Sequence, residues 1–241
     1  MAFYQTSLSR PTSPRKSVLV IGATGRTGLA CIRQLDQIVG INTPSIHAFC
    51  RDQSRLSSAD RSICETVYEG DARSPVDLER AIYTSEATHI VIAIGNGDST
   101  SKSTLRTTSA KALVNVLQSK PHYATIRVIV VSSTGASASK IKVGLGLGKI
   151  KERQLRHVLN DHTGQEDAFA VIRYQATIVR PTSLTDGSPR GSLIEFGDKD
   201  KAPSIRTDRA DLALWVTNEI LSGRHQGSAV NITGSKSPNN Q

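Results

Sequence analysis

A buried strand that runs directly into a spaced set of glycines constrains this chain more than any other feature. Residues 17–28 read Ser-Val-Leu-Val-Ile-Gly-Ala-Thr-Gly-Arg-Thr-Gly. The consecutive apolar residues 18–21 are typical of a parallel strand buried on both faces. Apolar residues at helical spacing follow as Leu29, Ile32, Leu35 and Ile38. Strand, glycine turn and helix in this order predict the first βα unit of a parallel sheet.

The glycines of this turn are spaced three residues apart, and each has its own purpose in such a unit. One allows the sharp turn, one lets the backbone approach a pyrophosphate, and one lets helix and strand pack closely. Free N–H groups and the dipole at the start of the helix attract the anion. A glycine-rich turn without a ligand is the alternative. The predicted cofactor residues of the turn are Gly22, Ala23, Thr24, Gly25, Arg26, Thr27 and Gly28.

The residues after the second strand bear on the choice between NAD and NADP. That strand is predicted over residues 46–50, and Arg51 follows it. An acidic residue at this position binds the ribose 2′-hydroxyl of NAD, whereas an arginine suits the 2′-phosphate of NADP. Paired guanidinium groups bind phosphate well, so Arg51 with Arg26 favours NADP. Asp52 keeps NAD open, and solvated surface arginines are the plain alternative.

Further strands are predicted over residues 64–68, 89–94 and 128–131, with helical segments between them. This alternation predicts an α/β fold with a single doubly wound Rossmann sheet and helices on both faces. A small C-terminal region would cover the substrate. Ligands of such sheets bind beyond the carboxyl ends of the strands. The glycine turn, Arg51, Asp71 and the segments 93–95 and 132–135 all fall on that edge.

Composition excludes several other classes of function. The net charge is +9, but the basic residues are scattered and only 4% of residues are aromatic, so no nucleic-acid partner is predicted. No apolar run reaches the ~18 residues of a membrane span. The three cysteines show neither metal-ligand nor disulfide spacing, which predicts no metal and a reducing, cytoplasmic location. Residues 1–16 are predicted to be a disordered basic arm, and residues 17–241 the Rossmann domain.

Three segments resemble a known family. Gly-Ala-Thr-Gly-Arg-Thr-Gly resembles the glycine loop of extended and atypical short-chain dehydrogenase/reductases. Residues 178–184, Ile-Val-Arg-Pro-Thr-Ser-Leu, resemble the strand and turn that cover the nicotinamide in that family, and residues 209–213 resemble the start of its late helix. The likeness spans about residues 17–234. The resemblance is strongest to the atypical branch, which contains the flavin reductase/biliverdin reductase B-type and NmrA-like proteins.

The resemblance implies roles for residues at several strand ends. Asp71 would lie beside the adenine, with an ordinary turn aspartate as the alternative, and Ala72 would also contact the cofactor. Residues 183–210 would form a substrate rim or lid. The nicotinamide would sit between Ser133 and the turn after the sixth strand. The remaining cofactor residues implied in this way are Ala93, Ile94, Gly95, Ser132, Pro181, Thr182 and Ser183.

The catalytic pair of the family is missing. Members that reduce carbonyls typically use Tyr-x-x-x-Lys, and none of the five tyrosines here has a lysine four residues later. Lys149 could still bind the nicotinamide ribose, and Ser133 could polarise a substrate oxygen. The alternatives are a solvated lysine and a turn-capping serine. His157, in a helix, and His162, expected in a loop, are interpreted as surface histidines.

These features together predict an NADP-dependent oxidoreductase. It would deliver hydride to a small conjugated carbonyl, quinone-like or flavin-like substrate without the tyrosine–lysine pair. A non-catalytic, NADP-binding redox regulator and a redox-neutral isomerase or cyclase remain as alternatives. The predicted partner is a small-molecule substrate, with no nucleic acid or membrane, and the protein is expected to be a monomer or homodimer.

Overall fold

Seven parallel strands form most of one sheet, and an antiparallel strand completes it at one edge. The computed structural model describes residues 15–97, 99–141, 147–187 and 191–235, with the side chains at 147–149 and 151 outside the description. The order of strands across the sheet is β3-β2-β1-β4-β5-β6-β10-β8, and β7 pairs with β9 in a separate two-stranded sheet. This is the predicted doubly wound α/β fold.

The elements alternate between strand and helix along most of the chain. The strands are β1 (Ser17–Ile21), β2 (Ser45–Cys50), β3 (Thr66–Glu69), β4 (His89–Ile92), β5 (Arg127–Val131), β6 (Ala176–Pro181), β7 (Ser183–Thr185), β8 (Leu193–Phe196), β9 (Arg206–Asp208) and β10 (Ala229–Gly234). The helices are α1 (Arg26–Asp36), α2 (Ser58–Ile63), α3 (Pro75–Thr84), α4 (Leu105–Ser119), α5 (Leu147–Phe169) and α6 (Arg209–Ser222).

The strand order reverses at β1, which pairs in parallel with β2 on one side and with β4 on the other. All five residues of β1 are buried, as its run of apolar residues predicts. Chain connections leave β1 and β4 in opposite directions, so a crevice opens beyond their carboxyl ends. The sheet therefore places its ligand-binding position directly above the glycine turn.

Helices cover both faces of the sheet. On one face, Ile32 of α1 and Val216 of α6 belong to one buried apolar cluster. On the other face, Leu78 of α3, Leu113 of α4 and Phe169 of α5 belong to a second cluster. Each cluster buries one side of the parallel strands, which explains why the strands read as continuous apolar runs.

Two helices, α2 and α3, begin at a serine whose side chain caps the first turn. Ser74 Oγ accepts a hydrogen bond from Asp77 N at 3.3 Å and precedes the first helical residue, Pro75, as expected for α3. α2 has the same kind of start, since Ser57 Oγ accepts from Asp60 N at 3.1 Å. Sequence analysis did not predict α2, although its capping serine was visible.

Several predicted boundaries differ from the structure. α1 ends at Asp36, so Ile38 lies beyond it. β3 begins at Thr66 and β4 ends at Ile92, which leaves residues 93–95 in the loop after β4. Pro181 is the last residue of β6, opposite Ile232 of β10, and the chain then enters the separate β7–β9 sheet. Proline lacks the N–H that a continuing strand would need.

The predicted arm and rim are only partly described. Residues 1–14 of the arm lie outside the described residues, but Arg15 pairs with Glu65 at 2.8 Å and donates to Thr43 O. Residues 183–210 contain β7, β8 and β9, and β8 forms the antiparallel edge of the main sheet. Among the described residues, no helix combines the length and apolarity needed to cross a membrane.

Candidate functional site

The glycine turn after β1 brings backbone N–H groups to the crevice. Gly22 has φ of +90°, and a Cβ there would lie 2.6 Å from Ala93 O, so both its conformation and its space require glycine. Gly25 precedes α1, whose first turn contains no acidic residue and whose start has no side-chain cap. The free N–H groups at the start of α1 are therefore left for a ligand.

Gly28 has the packing role expected of the third glycine. A Cβ on Gly28 would lie 2.3 Å from Gly22 O, so only glycine allows α1 to pack this closely on the turn. Gly28 and Ala23 are buried and support the turn from beneath. Gly22 thus forms the turn, Gly28 allows the close packing of α1, and Gly25 lines the groove.

A groove of about 590 Å³ lies beyond the carboxyl ends of β1 to β4. Ten of the predicted cofactor residues line it: Gly22, Thr24, Gly25, Arg26, Arg51, Asp71, Ala72, Ala93, Ile94 and Gly95. Six lining residues were not predicted: Phe49, Cys50, Arg55, Asn96, Gly97 and Leu105. The predicted residues that do not line this groove are Ala23, Thr27, Gly28, Ser132, Ser133, Lys149, Pro181, Thr182 and Ser183.

Two arginines and no free acidic residue follow β2. Arg51 and Arg55 both line the groove. Asp52 Oδ1 accepts from Ser54 N at 2.9 Å and from Ser54 Oγ at 2.6 Å, and these bonds hold the pKa of Asp52 below its usual value. Asp52 thus caps a short turn of chain instead of facing the groove.

Asp71 stands at the end of β3 as an ionised carboxylate. Arg73 Nε lies 3.0 Å from its Oδ1 and Arg73 Nη2 lies 2.6 Å from its Oδ2. The Arg73 hydrogen bonds keep the pKa of Asp71 below its usual value. Asp71 N donates to Asp77 Oδ2 at 3.0 Å, which fixes the backbone between β3 and α3. A fixed hydrogen-bond acceptor is therefore present where the resemblance places the adenine.

Ser132 faces the interior, away from the groove. Its Oγ donates to Glu166 Oε1 at 2.5 Å, and its N donates to Val179 O at 2.8 Å. Arg180 Nη2 binds Glu166 Oε2 at 2.6 Å, and Arg180 Nη1 binds Asp198 Oδ1 at 2.9 Å. A buried ionic cluster therefore joins the ends of β5 and β6 to α5 and uses the hydrogen-bonding groups of Ser132.

The other residues at the ends of β5 and β6 lie against one another. Ser133 is half-buried, and its Oγ donates to Thr134 O at 3.2 Å. Thr134 N donates to Pro181 O at 3.0 Å, and Thr182 Oγ1 is buried within hydrogen-bond distance of Thr207 Oγ1. Ser183 begins β7. Lys149 lies in the first turns of α5, and its side chain is outside the described residues.

His162 was expected in a loop at the surface, and this expectation is wrong. It lies within α5 and is buried. Glu166 lies four positions further along α5, so the two share a helix face, with His162 one turn nearer the start of α5. Burial lowers the pKa of His162 to about 3, with a smaller effect of Arg106, so its imidazole is neutral. Its Nδ1 has no hydrogen-bond partner among the described residues.

A buried arginine underlies the loop after β4. A Cβ on Gly95 would lie 3.2 Å from Arg106 Nη2, and Arg106 Nη1 donates to Asn96 Oδ1 at 3.3 Å. Asp161 of α5 caps α4 from outside, because its carboxylate accepts from Arg106 N at 3.1 Å and Thr107 N at 2.9 Å. Sequence reasoning missed this support, since it joins residues far apart in the chain.

The comparison with families of proteins agrees with this geometry. A family model described as NAD(P)H-binding matches residues 22–222, from the first glycine of the turn to the last residue of α6. The matched segment begins directly after β1 and includes β2, β3 and β4, which end at the groove with it.

Solved structures with the same fold include several redox proteins. A short-chain dehydrogenase/reductase (wide type) from Veillonella parvula DSM 2008 in complex with NADP has a TM-score of 0.71 at 17% identity, covering 93% of this chain and 95% of that one. ChuY, an anaerobillin reductase from Escherichia coli O157:H7, has a TM-score of 0.70 at 15% identity, covering 93% and 98%. At these identities the likeness shows the fold.

Proposed function

This chain belongs to the NAD(P)H-binding family that its residues 22–222 match, and we propose from that premise that it is an NADP-dependent reductase. The cofactor would lie in the groove with its pyrophosphate over the glycine turn. Its adenine would lie beside Asp71 and Ala72, and residues 93–95 would pass beneath it. The fold and the glycine geometry support this arrangement.

The choice of NADP rests on one observation at the end of β2. Arg51 and Arg55 line the groove, whereas the carboxylate of Asp52 is bound to Ser54. A 2′-phosphate is well matched by two guanidinium groups, since charge-assisted bonds between them are strong. The ribose diol of NAD would need an acidic acceptor at this strand end, and Asp52 is engaged elsewhere.

The nicotinamide would lie toward the ends of β5 and β6, near Ser133 and residues 181–183. Hydride would pass from the reduced nicotinamide directly to a small conjugated carbonyl, quinone-like or flavin-like molecule, and a proton from solvent water would complete the reduction. Ser133 would polarise the substrate oxygen, and Lys149 would bind the nicotinamide ribose. No tyrosine–lysine pair is present in the sequence. Placement of the substrate beside the nicotinamide and electrostatic stabilisation of the reacting groups would therefore provide most of the rate enhancement.

Cofactor titration and turnover test this proposal together. Isothermal titration calorimetry should show that NADPH binds more tightly than NADH. A panel of quinones, flavins and ketones should then reveal a substrate that oxidises NADPH. The loss of absorbance of the reduced nicotinamide measures this oxidation. If the protein bound neither NADPH nor NADH, this result would contradict the whole proposal.

A non-catalytic regulator that binds NADP is the second candidate. The missing tyrosine–lysine pair favours it, and so does the commitment of the Ser132 hydroxyl to Glu166. Tight NADPH binding with no oxidation across the panel would support this candidate. Product formation without net loss of NADPH would instead support a redox-neutral isomerase or cyclase.

Location and assembly complete the proposal. The three cysteines are free thiols, which suits a reducing compartment such as the cytoplasm. The expected partner is the small-molecule substrate, and the protein would act as a monomer or homodimer. Among the described residues, no group of three or more His, Cys, Asp or Glu side chains is placed to hold a metal ion.

A further inference from the structure

The loop after β4 forms one side of the groove and is supported both at its start and further along. Its residues 93–97 all line the groove. Ala93 N donates to Ile21 O at 2.9 Å, which joins the start of the loop to β1. Further along, Asn96 accepts a hydrogen bond from Arg106, a residue of the first turn of α4. A side chain from a distant part of the sequence therefore contributes to the position of this loop.

Arg106 contacts the loop through both terminal nitrogens of its guanidinium group. Nη1 donates to Asn96 Oδ1 at 3.3 Å, and Nη2 would lie 3.2 Å from a Cβ on Gly95. The loop backbone at Gly95 therefore lies directly against the guanidinium. Only 9% of the Arg106 side chain is exposed, so this cation supports the loop from the interior of the fold.

Helix α5 fixes the position of Arg106 in turn. Arg106 Nη1 lies 3.4 Å from Asp161 Oδ2, and the same oxygen accepts from Arg106 N at 3.1 Å. The Asp161 side chain is fully buried. A Cβ on Gly164 would collide with Thr107 Oγ1, so the backbone of α5 packs directly on the first turn of α4. These contacts leave the guanidinium little freedom to move away from the loop.

Among the described residues, the side chain of Arg106 divides its hydrogen bonds between the loop and α5. It donates to Asn96 and to Asp161, whereas its buried Nε has no partner in this part of the chain. A buried ion pair adds little stability by itself, because the cost of removing two charges from water offsets their attraction. The stability of the contact between α4 and α5 therefore does not account for an arginine here. Its reach to Asn96 does, because an apolar residue could pack against α5 but could not bind the loop.

The supported part of the loop has a definite place along the proposed cofactor. β4 lies between β1 and β5 in the sheet. The pyrophosphate is proposed to lie over the turn after β1, and the nicotinamide toward β5 and β6. Residues 95–97, which follow β4, would therefore lie beneath the ribose that joins the pyrophosphate to the nicotinamide. The adenosine half would lie on the other side of β1, over the ends of β2 and β3.

We propose that Arg106 is a positioning residue, which holds residues 95–97 in place beneath the nicotinamide ribose of the bound cofactor. This inference rests on the proposed function and refines it. Arg106 would not touch the cofactor, since it acts through the side chain of Asn96 and the backbone of Gly95. NADPH and NADH share the nicotinamide ribose, so the binding of both should depend on Arg106.

Isothermal titration calorimetry of Arg106→Lys tests the proposal. Lysine keeps a cation beside Asp161, but its Nζ takes the place of the arginine Cζ and ends one bond short of Nη1. Affinity for NADPH and for NADH should each fall by about three- to tenfold, since a loosened loop must be ordered when the cofactor binds. Affinity for adenosine 2′,5′-bisphosphate, which has no nicotinamide ribose, should stay unchanged. Arg153→Lys, the same substitution at an exposed position of α5, is the matched control and should change nothing.

A double-mutant cycle with Asn96→Ala separates positioning of the loop from support of the fold. Each single variant should lose NADPH affinity, and Arg106→Lys in the Asn96→Ala background should cause no further loss. An undiminished loss in that background would overturn the proposal, and so would a loss confined to NADPH or one that extends to adenosine 2′,5′-bisphosphate. If the wild-type protein bound NADPH but Arg106→Lys left its affinity unchanged, only the positioning role would fall. A wild-type protein that bound neither NADPH nor NADH would remove the proposed function and this role together.

Discussion

Gly28 faces the carbonyl of Gly22 so closely that a Cβ atom on Gly28 would lie 2.3 Å from the oxygen and 2.9 Å from the carbon. The same atom would lie 3.0 Å from Ala23 Cα. All three neighbours are backbone atoms, so none of them can rotate away as a flexible side chain could. This contact sets the position of α1 over the turn and thereby the direction of its first N–H groups.

Gly28→Ala should therefore damage both folding and cofactor binding. Overpacking against backbone typically lowers the free energy of unfolding by about 1–3 kcal/mol. NADPH affinity should fall by more than about tenfold, because a displaced α1 no longer aims its N–H groups at the phosphates. Urea unfolding measures the change in the free energy of unfolding, and isothermal titration calorimetry measures the change in NADPH affinity.

Gly40→Ala is the control for this prediction. Gly40 has φ of +84°, but a Cβ there would meet nothing within 4 Å. Backbone strain alone should lower the free energy of unfolding by about 1–2 kcal/mol and leave NADPH affinity unchanged. Equal losses of affinity in both variants would show that the Gly22–Gly28 contact is not what shapes the site.

Arg51→Gln tests the selectivity for NADP. A lost charge-assisted bond to phosphate costs about 1.5–3 kcal/mol, so NADPH affinity should fall by about tenfold or more. NADH has no 2′-phosphate, and its affinity should barely change. Arg153→Gln removes the same charge from an exposed position of α5 and should affect neither ligand. Similar losses for NADPH and NADH in Arg51→Gln would refute the assignment of the 2′-phosphate.

The parts of the site that sequence reasoning found are those fixed by local geometry. The turn glycines and Arg51 follow recognisable buried strands, Asp71 follows the partly exposed β3, and parallel strands bring their carboxyl ends to one edge. Gly22 and Gly28 could be assigned separate roles because their spacing along the turn fixes which backbone each meets. Ten of the sixteen residues lining the groove were therefore predictable without the structure.

The parts that were missed depend on contacts between distant segments. Asp161 caps α4 from α5, and Glu166 holds Ser132, yet neither carboxylate has a sequence neighbour that reveals its partner. The buried face of α5 is also hard to recognise, since His162 and Glu166 alternate with Leu159 and Phe169 on it. When half of the residues at helical spacing are polar, the sequence pattern does not predict which side of the helix is buried.

Glu166→Ala should be the most destabilising substitution in the ionic cluster. Arg180 is buried, and Glu166 accepts hydrogen bonds from its Nε and Nη2. Removal of one partner from a buried ion pair typically lowers the free energy of unfolding by about 3–5 kcal/mol, because a charge is left uncompensated. The half-exposed Asp198 still binds Arg180, which favours the lower end of that range.

Urea unfolding at neutral pH measures this loss, with Asp167→Ala as the control. Asp167 is the next residue of α5 and is exposed, so its substitution should change the free energy of unfolding by less than about 0.5 kcal/mol. A similarly small effect of Glu166→Ala would mean that the Ser132–Glu166–Arg180 cluster contributes little to the joining of β5 and β6 with α5.

His162 should make the folded state less stable as the solution becomes acidic. Its folded pKa is about 3 against an ordinary value of 6.5, because burial disfavours the charged imidazole. Between these two values the unfolded chain binds a proton that the folded chain does not, so stability falls as pH falls through this window. The linkage relation gives a loss of about 2 kcal/mol between pH 7 and pH 5 from His162 alone.

The difference in the free energy of unfolding between pH 7 and pH 5 isolates this effect in a His162→Gln variant. That difference should shrink by about 2 kcal/mol relative to wild type, whatever the variant loses in stability at pH 7. It should not vanish, because burial also lowers the pKa of His89, to about 4. His157→Gln, on the same helix but half-exposed, should leave the difference unchanged. A His162→Gln variant with the wild-type pH dependence would show that the imidazole at 162 is hydrated and titrates normally.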